Sequence, residues 1–260
     1  MMDISIVGYE HESLRDKAQS LAESLHFTLD KEANPCLFVT TKRLTLKIPH
    51  FSLLYPELEA ASWNKRKQEG KKQGLVRACK PSSGLKIIDT TAGWGRDAAV
   101  LASCGAEVLM IERHPVMAAL LTDALRHSTE QQQKLPLSLH QGSAYAFLDA
   151  LRPEDYPDVI YIDPMHPERS KSALVKKEMQ ALQQMIGADE DALDLIGMAV
   201  KRVKQRVVVK WPQNKKPLLA ADAFIVGKTI RFDIYFARFC ENFYRIHMWA
   251  PAKCKNPEKA

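Results

Sequence analysis

The chain has 260 residues, 46% of them hydrophobic and 26% charged, and a formal net charge of +6. That apolar content suffices for one large domain, or for one domain plus a small one. No apolar run reaches the roughly 18 residues of a membrane span, and the opening MMDISIVGYEHE lacks the basic start and apolar stretch of a secretory signal. No membrane partner is therefore expected. Five dispersed cysteines (Cys36, Cys79, Cys104, Cys240, Cys254) form no C-x-x-C pair and the histidines show no metal spacing, which points to reduced thiols, a cytoplasmic location and no metal.

Residues 1–60 read as a small α+β domain. ISIVGY (4–9) has the pattern of a strand. HESLRDKAQSLAESLHF (11–27) has that of an amphipathic helix with Leu14, Ala18, Leu21 and Leu25 on one face, and CLFVTTKRLTLKI (36–48) alternates like a β-hairpin. A basic arm follows over 61–84. Within it, residues 64–80 hold seven Lys or Arg and one Glu, a balance of +6 that equals the excess of the whole chain. Charge so concentrated suggests a polyanionic partner, nucleic acid before membrane, with Lys65, Arg66, Lys67, Lys71 and Lys72 as contacts. Pro81-Ser-Ser-Gly84 punctuates the end of the arm.

From Leu85 the rhythm becomes strand, loop, helix. Strands are expected at 85–89, 106–112, 135–140, 158–162 and 206–210. The helices between them fall at 98–103, 115–127 (opened by Pro115), 143–151, 171–185 and 189–204. AFIVGKTIRFDIYFARF (223–239) reads as two strands around a Gly227-Lys228 turn. Alternating β and α elements imply a doubly wound, mostly parallel sheet with helices on both faces, closed by an antiparallel hairpin. This second domain spans 85–239, and residues 240–260 form a tail.

Gly93-Trp-Gly95-Arg-Asp-Ala98 fits the dinucleotide pattern G-x-G-x-x-A, with Glu112 at the end of the next strand as the acid for ribose hydroxyls. That pattern alone serves NAD and S-adenosylmethionine equally. Asp89 at the strand tip and Asp97 in the first helical turn decide between them, because carboxylates repel a pyrophosphate but attract the ammonium of a methionine moiety. S-adenosylmethionine is the expected cofactor.

DVIYIDPMHPER (158–169) runs an apolar strand into Asp163, Pro164, Met165 and His166. Transfer of a methyl group to a nucleobase amine needs an acceptor for the amine hydrogens. Asp163 supplies a carboxylate, Pro164 fixes the backbone, and His166 offers a flat face for the base. These four are the expected catalytic residues. Lys171, Lys176 and Lys177 downstream, and Lys210 at the tip of the fifth strand, are candidate phosphate contacts. Trp211 beside Lys210 either stacks on a base or packs in the core.

Asp163-Pro-Met-His resembles the (D/N)PP(F/Y) motif of amino-methyltransferases. The longer strings DTTAGWGRDAAVLAS, IERHPVMAALL, YIDPMHPERSKSALVKKEM, VVVKWP and FDIY resemble the bacterial small-subunit ribosomal RNA methyltransferase J family over about residues 85–236. The resemblance implies a Rossmann-like class I methyltransferase that modifies guanine N2 in 16S rRNA of the 30S subunit. It also implies cofactor contacts at Arg96, Asp97, Glu112, Arg113, Gly142, Ser143 and Asp163. The family pattern has Phe where this chain has His166. A monomer is expected. Adenine-N6 or cytosine-N4 methylation, a non-catalytic rRNA-binding assembly factor and a nicotinamide dehydrogenase are the competing readings.

Overall fold

The computed structural model describes residues 4–58, 63, 73–130, 135–165 and 191–238. In the N-terminal part, β1 (Ile6–Tyr9), α1 (Arg15–Leu25), β2 (Thr28–Leu29), β3 (Cys36–Val39) and β4 (Leu44–Lys47) follow in order. They build a four-stranded sheet of order β2-β1-β3-β4, in which β1 is parallel to β2 and β3, and β3 pairs antiparallel with β4. The stripe on α1 behaves as its spacing suggests. Ala18 is buried, and Leu14, Leu21 and Leu25 pack against the same core. Small Ala residues at the contact let α1 lie close to the strands.

This core extends beyond the sheet. Trp94, Val116, Met117 and Leu120, all from later in the chain, are buried in it beside Leu37 and Leu46. The Leu44 amide also donates to Asp123 Oδ2 at 2.8 Å. Each large apolar side chain so buried contributes roughly 1.5–3 kcal/mol.

The second part begins with a helix where the sequence suggested only a linker. In α2 (Gly74–Cys79), Leu75, Ala78 and Cys79 are buried. A Cβ added at Gly74 would sit 2.6 Å from the Phe232 ring, so only glycine permits that approach. There follow β5 (Lys86–Asp89), α3 (Arg96–Ser103), β6 (Glu107–Glu112), α4 (Pro115–Glu130), β7 (Leu137–Gln141) and α5 (Ala144–Asp149). The chain continues through β8 (Val159–Ile162), α6 (Ala192–Ala199), β9 (Arg206–Pro212), β10 (Ala223–Val226) and β11 (Ile230–Phe236).

The seven-stranded sheet has the order β10-β11-β9-β8-β5-β6-β7. β5 to β9 are mutually parallel, while β11 is antiparallel to β9 and to β10. This is a Rossmann-like class I methyltransferase fold. The chain order runs outward from β5 in one direction to β6 and β7, and in the other from β8 to β9. A crevice therefore opens between the carboxyl ends of β5 and β8, the place where such sheets bind ligands. All four residues of β8 are buried, as expected of a strand covered on both faces. The helix expected over 189–204 is helical at 192–199, and residues 166–190 and 239–260 lie outside the described residues.

Candidate active site

The carboxyl ends of β5 and β8 are stitched together by two threonines. Thr90 donates from its amide and its hydroxyl to the Tyr161 carbonyl, each at 3.0 Å, and the Thr91 hydroxyl accepts from the Asp163 amide at 2.7 Å. Asp89, the last residue of β5, is 1% exposed and takes the Thr91 amide at 3.1 Å. The chain then turns through Gly93 and Gly95, whose φ angles of 52° and 70° lie in the left-handed region that glycine adopts without strain. The turn delivers Arg96 and Asp97 into the first turn of α3.

From β6, Glu112 reaches under this loop. Its Oε2 accepts the Gly93 amide at 2.9 Å and its Oε1 the His114 amide at 2.8 Å. Its own carbonyl takes the Gly142 amide at 2.9 Å, which fixes the loop after β7, where Ser143 precedes α5 as its N-cap. One carboxylate thus braces the glycine loop while its backbone holds the neighbouring loop.

An acidic cluster lies opposite. Asp97 Oδ2 accepts the Tyr161 hydroxyl at 2.7 Å and the Lys210 ammonium at 3.0 Å, and the same ammonium lies 2.6 Å from Asp163 Oδ2. Burial pushes the Asp89 carboxyl up to about 8, with Asp97 and Asp163 adding to the rise and the Thr91 amide and Lys210 opposing it. Burial likewise drives the Tyr161 hydroxyl well above its usual range, so it stays a neutral donor to Asp97. For Lys210 burial favours the neutral amine, but Asp97 and Asp163 more than offset it and hold the ammonium charged.

These groups enclose a cavity of about 530 Å³ at the crevice. Its walls include most of the expected site. Asp89 and Gly93 come from the first loop, Arg96 and Asp97 from α3, and Glu112 and Arg113 from the β6 tip. Gly142 and Ser143 follow β7, and Asp163, Pro164 and Met165 follow β8. Met165 also packs against the N-terminal core. Arg113 is paired with Asp191 at 3.0 Å.

Two expectations change, and one open alternative is decided. Gly95 does not line the cavity; a Cβ there would meet Leu121 and Leu58 at 3.0 and 3.1 Å, so its role is the close packing of turn on core. Lys210 is not an outward phosphate contact, because its ammonium is held between two carboxylates in the cavity wall. Trp211 packs: it is 8% exposed and its indole N–H donates to the Lys216 carbonyl at 2.8 Å. His166, Lys65, Arg66, Lys67, Lys71, Lys72, Lys171, Lys176 and Lys177 lie outside the described residues. Sequence reasoning missed Tyr161, which reads as an ordinary core aromatic, and Trp63, which lines the cavity from the basic arm and donates to the Leu58 carbonyl.

A parallel sheet with an acid-tipped crevice at its switch point defines the class I methyltransferase architecture, and comparison with known proteins agrees. A family model described as "Putative SAM-dependent methyltransferase" matches residues 20–237. The ribosomal RNA small subunit methyltransferase J of Legionella pneumophila (strain Lens) is 61% identical over 93% of this chain and 100% of its own length. Its namesake from Photorhabdus laumondii is 42% identical over 83% of this chain and 92% of its own. A crystal structure of a SAM-dependent methyltransferase from Neisseria gonorrhoeae superposes with a TM-score of 0.68 at 25% identity, covering 89% of this chain and 96% of that one. The chain belongs to the ribosomal RNA small subunit methyltransferase J family.

Proposed function

We propose that the protein transfers the methyl group of S-adenosylmethionine to the exocyclic N2 of a guanine in 16S ribosomal RNA of the small subunit. The observation that carries this reading is the acid-lined cavity at the β5–β8 crevice, in a chain whose Legionella relative bearing that ribosomal RNA name matches 93% of its length. The cavity fits the cofactor in size, since about 300–1,000 Å³ is usual for such ligands. It also fits in chemistry. Asp97 and Asp163, two carboxylates against the single ammonium of Lys210, suit a ligand bearing an ammonium and a sulfonium and would repel a pyrophosphate, while Asp89, whose carboxyl burial pushes up to about 8, adds a polar group without a full charge.

Bound there, the cofactor supplies an electrophilic methyl group. The residues of this chain do the rest. Glu112 has acceptor capacity beyond its two backbone bonds and takes the ribose hydroxyls. Ser143 meets the adenine edge, Gly93, Arg96 and Arg113 complete the cofactor's surroundings, and Asp89 and Asp97 face its cationic end.

The guanine amine is a poor nucleophile because its lone pair is delocalised into the ring. Asp163 accepts an N–H of that amine, which turns the lone pair toward the methyl group, and takes up the proton that the amine loses on transfer. Pro164 fixes the backbone beside it. Holding the reactants aligned contributes on the order of 7–11 kcal/mol in well-oriented cases. Lys65, Arg66, Lys67, Lys71, Lys72, Lys171, Lys176 and Lys177 contact RNA phosphates, which position the substrate without reading its sequence.

The test is tritium transfer from labelled S-adenosylmethionine to 30S subunits and to free 16S rRNA, both from a strain lacking the modification. Label enters the RNA with wild-type protein and is lost with Asp163→Ala. Cofactor binding without label in either RNA contradicts the reading.

A further inference from the structure

Lys210 has surroundings unlike those its type suggests. A lysine that steers a polyanion extends its ammonium into solvent. This one sits toward the carboxyl end of the interior strand β9, with 21% of its side chain exposed, and its ammonium bridges Asp163 and Asp97 at 2.6 and 3.0 Å. The two acids come from different elements, the tip of β8 and the first turn of α3.

Other charged and titratable groups line the same cavity from the neighbouring elements. β5 brings Asp89, α3 brings Arg96 beside Asp97, β6 brings Glu112 and β8 brings Tyr161. α2 carries Cys79, whose thiol burial keeps neutral and which feels Asp97 and Asp89. On β11 the residue in register with Lys210 is Phe232. Asp89, Asp97 and Asp163 thus share one wall of the cavity, and the ammonium of Lys210 is bonded to two of them.

Carboxylates crowded together hold protons to higher pH, because each ionisation opposes the next. A protonated Asp163 is a poor acceptor for an amine hydrogen. A carboxylate offers about four acceptor positions, so a bond to Lys210 is compatible with a second to the substrate amine.

We propose that Lys210 is a positioning residue for the methyl-accepting amine: it clamps Asp163 against Asp97, fixes the orientation of the Asp163 carboxylate and keeps it ionised. The proposal rests on the methyltransferase reading above. It assigns to the fifth parallel strand a part in the reaction that is distinct from cofactor binding and from RNA binding. Asp163 at the tip of β8 then acts with a positioning side chain from β9.

The experiment compares wild type, Lys210→Met and Lys210→Arg as full-length proteins. It measures kcat and KM for 30S subunits at saturating cofactor from pH 6 to 9, together with Tm across the same range. Lys210→Met lowers kcat at pH 7 by about 100-fold, the lower end of what a positioned proton acceptor contributes. KM for the RNA is little changed, the deficit shrinks as pH rises and the crowded acids recover their charge, and Lys210→Arg restores part of the rate. An unchanged kcat, a deficit equal at every pH, or a rise confined to KM overturns the proposal, the last because it marks a phosphate contact. If wild-type protein labels no RNA, the functional reading fails and Tm judges the clamp. The deficit of Lys210→Met then grows with pH if the acids lose their counter-ion, and a constant deficit overturns the clamp too.

Discussion

Glu112→Gln is the sharpest single perturbation of the cofactor loop. Glu112 is 5% exposed, and each of its oxygens accepts a backbone amide, from Gly93 at 2.9 Å and His114 at 2.8 Å. Glutamine keeps one acceptor oxygen but turns an NH2 toward the other amide. One charge-assisted bond, worth about 1.5–3 kcal/mol, is lost, and a nearly buried N–H is left facing a donor. In a protein of this size 1 kcal/mol moves Tm by about 2–4 °C, so the expected fall is roughly 3–12 °C by differential scanning calorimetry. Titration with S-adenosylhomocysteine then reads the second role. Losing the charge that accepts from the ribose weakens binding by about 10-fold, equivalent to about 1.4 kcal/mol. A Tm within about 1 °C of wild type would refute the bracing of the loop. A lowered Tm with unchanged affinity would keep the bracing and remove the ribose contact.

Further outcomes follow from the same geometry. The Asp89 carboxyl titrates near 8 in the fold against an ordinary value of 3.8, so between those limits the folded state holds a proton that the unfolded chain releases. Stability therefore falls as pH rises from about 4 to about 8 and levels above that. Asparagine cannot lose the proton, so the Tm of wild type relative to Asp89→Asn declines over that range; a pH-independent difference contradicts this. Gly95→Ala forces a φ of 70° on an L residue and drives its Cβ to 3.0 Å from Leu121. It destabilises the protein by about 1–3 kcal/mol in urea unfolding, and a change below about 0.5 kcal/mol argues against the tight packing of the turn. His166→Phe keeps or raises methyl transfer if the ring serves only to stack, and a large loss would assign a role to its nitrogens.

The strands of the catalytic sheet were legible because each is a short apolar run with a punctuated end. RVVVK and DVIYI can hardly be anything else once both faces are covered. The hairpin after residue 222 was legible from its Gly227-Lys228 turn, where the Gly227 amide donates to the Ile230 carbonyl. The helix Gly74–Cys79 was not. It is only six residues long, lies in a basic stretch and is held by Phe232, more than 150 positions away in the chain. Two-residue β2 is equally silent, since it exists only as a parallel partner of β1.

The site shows the same division. Asp89, Glu112 and Asp163 announce themselves as acids at strand tips, where charge is unusual. Lys210 had the same position but read as a cation for RNA, because its partners lie 47 and 113 residues away and no local pattern records them. Trp94, between two loop glycines, both lines the cavity and packs in the N-terminal core, and no local pattern records that second contact. Local spacing thus marks where the chemistry is, and long-range pairing decides what each charge does there.

The central claim is the chemical identity of the methylated group, and the most direct measurement is nucleoside analysis of labelled RNA. 16S rRNA methylated in 30S subunits from a strain lacking the modification is digested to nucleosides and resolved by chromatography and mass spectrometry. The account predicts that the label co-migrates with N2-methylguanosine. Label in N6-methyladenosine or N4-methylcytidine would contradict it.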